Sequence, residues 1–242
     1  MKYFIDTEFI EGFHKPLFGK RRHFIDLISI GIVAEDGREY YAISNEFNPK
    51  DADKWVTDNV ISKLPQRKVS FYDSPRMRQE SLLWKSNERI AKEIIDFINP
   101  PVGAEGYIGW IAKHNPILDG SDKHGHTQPE FYGYYSDYDW VLFCSLFGRM
   151  IDLPKGFPMY CQDLKQTLDY HIQQRMDEGF NKAWINPKTQ QVYDASFEQC
   201  LERFKNFQDY PKQTNEHHAL ADAKWNRDLY LYLEARGQKI IS

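Results

Sequence analysis

The chain has 242 residues, 41% hydrophobic and 27% charged, proportions that exclude a disordered segment, a collagen-like repeat and a bundle of membrane spans. Lys and Arg number 31 against 35 Asp and Glu, and the formal charge of -4 offers no bulk basic surface to a nucleic acid. Cys144, Cys161 and Cys200 lie far apart with no CxxC pair and no zinc spacing, which suits a reducing cytoplasm.

Residues 3–10 are aromatic and β-branched and predict a strand, a central one. Asp6 interrupts any apolar signal core, so neither export nor a membrane anchor is expected. A basic run follows, Lys15, Lys20, Arg21, Arg22 and His23, readable as a solvated loop or as a phosphate contact. Residues 24–34 form a second, Ile-rich strand, and Glu35-Asp36-Gly37 turns the chain into a third over residues 38–44. A short helix within residues 51–70 leads into a Pro- and Arg-containing connection. Ile90, Ile94, Ile95 and Ile98 then have helical spacing over residues 87–98. Residues 102–129, rich in Gly, Pro, His and Asp, read as an inserted loop, with Asp119, Asp122, His124 and His126 solvated rather than holding metal. A fourth strand (131–135), a helix (136–147) closed by Gly148, a helix (164–175), a loose stretch (179–187), a helix (197–204) and a terminal helix (218–235) complete the chain. The order βββαβααα implies a mixed α/β layer fold on one sheet.

Three places carry chemistry. Asp6 and Glu8 are two apart on a strand and so share a face, between Phe4-Ile5 and Phe9-Ile10, where paired anions require a cation. The spacing alone is weak, because it arises by chance about once in a chain this acidic. In Ser136-Asp137-Tyr138-Asp139, Asp139 has a simple alternative role, capping the helix at N3 with Ser136 as N-cap, and Asp137 competes with it. Asp222 falls inside a helix among small residues that permit close packing. His217, five residues earlier, can join it only from the preceding loop or first turn. Four carboxylates without a thiolate favour Mg²⁺ or Mn²⁺, and two such ions about 4 Å apart suit in-line displacement at phosphorus. A histidine, with an ordinary pKa of about 6.5, can deprotonate the attacking water.

Residues 4–9 (Phe-Ile-Asp-Thr-Glu-Phe), Tyr138-Asp139 and residues 217–223 (His-His-Ala-Leu-Ala-Asp-Ala) resemble, in order, the three motifs of the DEDDh (DnaQ-like) 3'-5' exonucleases. The nearest likeness is to their bacterial polyadenylate-specific exoribonuclease branch, whose flavour residues 55–65 and 146–154 share. The second motif departs from the commoner Asn-x-x-Phe-Asp form, with Ser136 and Tyr138 instead. The resemblance implies a ribonuclease H-like fold, a mixed central sheet flanked by helices, as one domain over residues 1–242 with insertions at 102–129 and 179–209. It implies Asp6, Glu8, Asp139 and Asp222 as ligands of two Mg²⁺ or Mn²⁺ ions, His217 as general base and Phe9 against the terminal nucleotide. The expected partner is a nucleic acid with a free 3' end, RNA ahead of DNA, met in the cytoplasm and away from membranes. A homodimer using Tyr230 and Tyr232 is an allowed assembly. The alternatives are a 3'-5' exodeoxyribonuclease and a silent binding module of the same fold. Two divalent ions would cancel the formal charge of -4, leaving attraction for phosphate to the metals and the basic run beside them.

Overall fold

A computed structural model describes residues 1–14, 19–99, 128–185 and 192–236. Strands β1 (Lys2–His14), β2 (Arg22–Ala34) and β3 (Glu39–Ser44) form an antiparallel meander. Parallel pairings add β4 (Trp84–Lys85) beside β3, β5 (Glu130–Gly133) beside β1 and β6 (Gln162–Asp163) beside β5. The resulting six-stranded sheet runs β4-β3-β2-β1-β5-β6, with β1 inside it.

Strand alternation divides the core. Tyr3, Ile5, Ile30, Ile32 and Phe131 pack with α3 (Asn87–Ile98) and α4 (Asp137–Ser145) on one face. Phe4, Val33 and Tyr132 point the other way, into α5 (Leu164–Asp177), α6 (Phe197–Lys205) and α7 (Ala219–Ala235). Ile10, Ile28, Ile43, Phe47 and Val60 form a third cluster beside α1 (Lys54–Asn59). This is a sheet between two helical layers, the α/β arrangement of a ribonuclease H-like exonuclease fold. α3 illustrates the local logic. Ser86 caps it by accepting from the Arg89 amide, and Ile90, Ile94 and Ile98 are buried at four-residue intervals. Ile95, expected in the same stripe, is 36% exposed, because one residue turns a side chain about 100° away from its neighbour.

Several expectations are corrected. α2 (Pro75–Ser81) occupies the Pro- and Arg-containing connection, to which no element was assigned, with Ser74 capping its start. The two-residue strands β4 and β6 carry no periodic signal, and β7 (Lys182–Ile185), inside the stretch read as loose, pairs with β8 (Val192–Asp194) further along the 179–209 insertion. Tyr230 and Tyr232 are buried against Phe4 and Phe204, so they fill the core rather than present a dimer face. The basic run is not beside the acids. His14 pairs with Arg22, six residues past Glu8, which places the described part of the run about 20 Å along the strand. Lys15 and nearly all of the 102–129 insertion lie outside the described residues, among which no helix is long and apolar enough to cross a membrane.

Candidate active site

The site forms where the sheet opens. β5 pairs with β1 only from Lys2 to Phe4, so the next backbone groups on that edge of β1 need other partners. Asn226 of α7 donates to the Ile5 carbonyl at 2.8 Å, and the Thr7 amide donates to Asp139 Oδ1 at 2.8 Å. The Thr7 hydroxyl donates to the same oxygen at 2.6 Å. Two elements from opposite helical layers are thereby fastened to Ile5 and Thr7 of β1, on either side of Asp6. Asp139 therefore does not cap its helix, as its position invited: Ser136 is the N-cap residue but makes no side-chain capping bond, and the buried Asp139 carboxylate turns to Thr7. Asp137 is exposed and lies outside the pocket that Asp139 lines.

Asp222 arrives with the first turns of α7, which can approach because β2 presents Gly31, the residue paired with Asp6. A Cβ on Gly31 would lie 2.3 Å from the Ala219 carbonyl oxygen and 2.4 Å from the Leu220 nitrogen. The Asp222 carboxylate accepts from the His217 amide (2.9 Å), the His218 amide (3.3 Å) and Gln213 Nε2 (2.5 Å). It thus satisfies amides entering the helix while placing negative charge at the favourable end of the helix dipole. These bonds hold His217 in the loop just before α7, at φ 64°, a left-handed conformation that a non-glycine residue adopts at a cost of about 1–2 kcal/mol.

One carboxylate oxygen each from Asp6, Glu8 and Asp222 lie within 4.8 Å of one another. Asp139 and His217 line the same pocket, with Thr7, Phe9, Tyr134, Tyr135, Tyr138 and Gln213. Charges packed this closely resist ionisation. Burial, then Asp139, Asp222 and Glu8, push Asp6 well above the usual carboxylate range. Burial, then Asp222 and Asp139, push Glu8 up to about 8, against a lowering by Lys63. Burial raises Asp139 to about 6, opposed by its two Thr7 hydrogen bonds and assisted by Asp163 and Asp222. A hard-oxygen donor set with this much uncompensated charge fits divalent cations of the Mg²⁺ type.

These shifts set an expected pH dependence. The folded-state carboxyls titrate above their unfolded values, so the stability they contribute is complete below about pH 4. It is lost as pH rises through about 6 for Asp139 and about 8 for Glu8. Metal-stripped protein is expected to lose on the order of 2 kcal/mol between pH 6 and 8, roughly 5 °C in Tm. Mg²⁺ or Mn²⁺ is expected to restore more at pH 8 than at pH 6. Calorimetry on the chelated and the ion-supplemented protein reads both, and a flat apo profile without ion rescue would remove the electrostatic case for a cation.

A second cleft meets the first at Glu8 and Phe9 and is walled by Ile10, Glu11, Asp53, Trp55, Val56 and Val60. A break in β1–β2 register between Glu8 and Phe9, where Ile28 is the extra residue, lies at this junction. Phe9 touches Tyr138 edge-on with ring centres 5.6 Å apart, and Trp55 meets His217 edge-on at 4.7 Å. Lys63 Nζ donates to the Glu216 carbonyl at 3.3 Å, bringing a cation to the acidic site that the distant basic run does not supply. His218 is not in the pocket. It stacks on Tyr41 at 4.5 Å, and burial lowers its pKa. Thr7, Gln213 and Lys63 adjoin the acids and were not singled out by sequence reasoning. Thr7, between the two acids of the first motif, and Lys63, within residues 55–65, carried some signal; Gln213 carried none.

A mixed sheet with carboxylates converging where its central strand leaves the core is the architecture of the ribonuclease H-like exonucleases. The chain belongs to the 3'-5' exoribonuclease Rv2179c-like domain family, which matches residues 1–233. It is similar to the proteins named 3'-5' exoribonuclease Rv2179c and 3'-5' exoribonuclease MT2234.1, from two strains of Mycobacterium tuberculosis. Each is 33% identical over 195 residues, spanning 81% of this chain and 84% of the relative.

Proposed function

We propose that the chain is a divalent-metal-dependent 3'-5' exoribonuclease of the DEDDh type, releasing nucleoside 5'-monophosphates from RNA 3' ends. The observation that carries this is the convergence of Asp6, Glu8 and Asp222 within 4.8 Å, on a fold whose relatives are named exoribonucleases. Asp6, Glu8, Asp139 and Asp222 would hold two Mg²⁺ or Mn²⁺ ions. When bound, such ions supply Lewis acidity toward water and the phosphoryl oxygens. His217 takes the proton of the attacking water, with its backbone amide tied to Asp222 and its ring against Trp55. Phe9, at the junction of the two clefts, lies against the terminal nucleotide, whose base enters the second cleft beside Trp55, Val56 and Val60. Lys63 offsets part of the charge that would otherwise repel the phosphate.

A product assay tests the reading directly. Matched RNA and DNA, labelled at either end and incubated with and without Mg²⁺ or Mn²⁺, are expected to show stepwise 3' shortening of RNA with the ion and none after chelation. Cleavage unaffected by chelation, or shortening from the 5' end, would refute it. His217→Ala is expected to lower kcat about 10²- to 10⁴-fold while leaving RNA binding within a few-fold of wild type. An unchanged kcat would move the base elsewhere.

A further inference from the structure

We propose that Tyr135 is a stacking platform for the nucleotide on the 5' side of the scissile phosphate, a subsite that rests on the exonuclease reading above. Tyr135 follows β5, lines the carboxylate pocket and is 64% exposed. Its φ is 57°, a left-handed backbone that glycine adopts freely and a tyrosine does not. Folding does not account for the residue, because an exposed ring recovers little burial to offset a strained backbone. The ring is nevertheless held in place. Tyr134 meets it edge-on with centres 5.0 Å apart, and Lys165 Nζ sits 5.5 Å from its centroid while paired with Asp169. Tyr134 is itself braced edge-on by Trp225 at 5.0 Å.

Polarity gives this ledge its occupant. A 3' exonuclease has one nucleotide on the 3' side of the bond it breaks and the remaining strand on the other. The Trp55–Val60 cleft adjoins Glu8 and Phe9 on one side, and Tyr134 and Tyr135 lie in the pocket that continues past the carboxylates. With the terminal base in the first cleft, the next base meets Tyr135. Stacking on a π-face is indifferent to base identity, so this subsite contributes affinity without sequence preference.

The test pairs a protein change with a substrate change. Wild type, Tyr135→Phe and Tyr135→Gly are assayed on an oligoribonucleotide and on the same strand with an abasic ribose at the penultimate position. Wild type and Tyr135→Phe are expected to favour the intact strand about 5- to 100-fold in kcat/KM. Tyr135→Gly is expected to lose that preference, because ring and base contribute through one contact. Its Tm should be unchanged or higher, since φ 57° suits glycine. A preference retained in Tyr135→Gly would overturn the platform, as would equal rates on both strands in wild type. Failure of wild type to shorten either RNA with Mg²⁺ or Mn²⁺ would instead overturn the exonuclease reading on which it rests.

Discussion

Asp6→Asn is expected to make the metal-free protein more stable and to abolish its nuclease activity. The side chain is half-buried among Asp139, Asp222 and Glu8, whose charges together with burial hold its carboxyl well above the normal range. A neutral amide of the same shape relieves that repulsion, with an expected gain of about 1–2 kcal/mol at pH 8 in the absence of ions. If the carboxylate holds a cation, its loss forfeits several kcal/mol of transition-state stabilisation, about 10³-fold or more in kcat. Asp222→Asn should lose activity to a similar degree without the gain in Tm, because its oxygens accept from two backbone amides and Gln213. Calorimetry beside an RNA shortening assay reads both effects. An Asp6→Asn protein that degrades RNA at the wild-type rate with Mg²⁺ or Mn²⁺ would end the metal-nuclease interpretation.

The second large effect is expected from one methyl group that touches none of the acids. Gly31→Ala puts a Cβ 2.3 Å from the Ala219 carbonyl oxygen, over 1 Å inside ordinary contact, and the three nearest atoms, of Ala219 and Leu220, are all backbone. The start of α7 must then lift from β2, or β2 must bow. Overpacking of this kind costs about 1–3 kcal/mol and sometimes more, roughly 3–10 °C in Tm for a chain of this length. The same shift carries Asp222, three residues after Ala219, away from Asp6, and a displacement near 1 Å is enough to cost about 10²-fold in rate. Mn²⁺ affinity should fall in parallel and is measurable by calorimetry on protein kept below its lowered Tm. Wild-type Tm and affinity in this variant would show that the contact between α7 and the sheet is not what positions Asp222.

Legibility followed the range of the interactions concerned. Asp6 and Glu8 share a face because strand side chains alternate, and Ile90, Ile94 and Ile98 share a helical stripe for the analogous reason. Both facts are local, and both could be read directly. The small residues around Asp222 signalled close packing, but not its partner; Gly31 is revealed only when β2 and α7 are superposed in space. Asp139 shows the reverse case. Its place in the first turn of α4 argued for a cap, and a residue 132 positions away claimed its oxygen instead. The two-residue strands β4 and β6 are too short for any period to register, and their pairing is supplied by the neighbouring strands.

The sequence by itself determined which residue types could do the chemistry, which faces of strand and helix they occupy, and that the layers are mixed α/β. Tertiary structure alone decided which acids meet. It brought Asp6, Glu8 and Asp222 within 4.8 Å, put Asp139 rather than Asp137 in the pocket, and kept the described part of the basic run away from the acids while Lys63 came to them. The physical reason is that periodicity fixes direction relative to a residue's own element. The spacing between elements is set by contacts such as the Gly31 backbone against Ala219 and Thr7 against the Asp139 carboxylate, which join residues far apart in the chain.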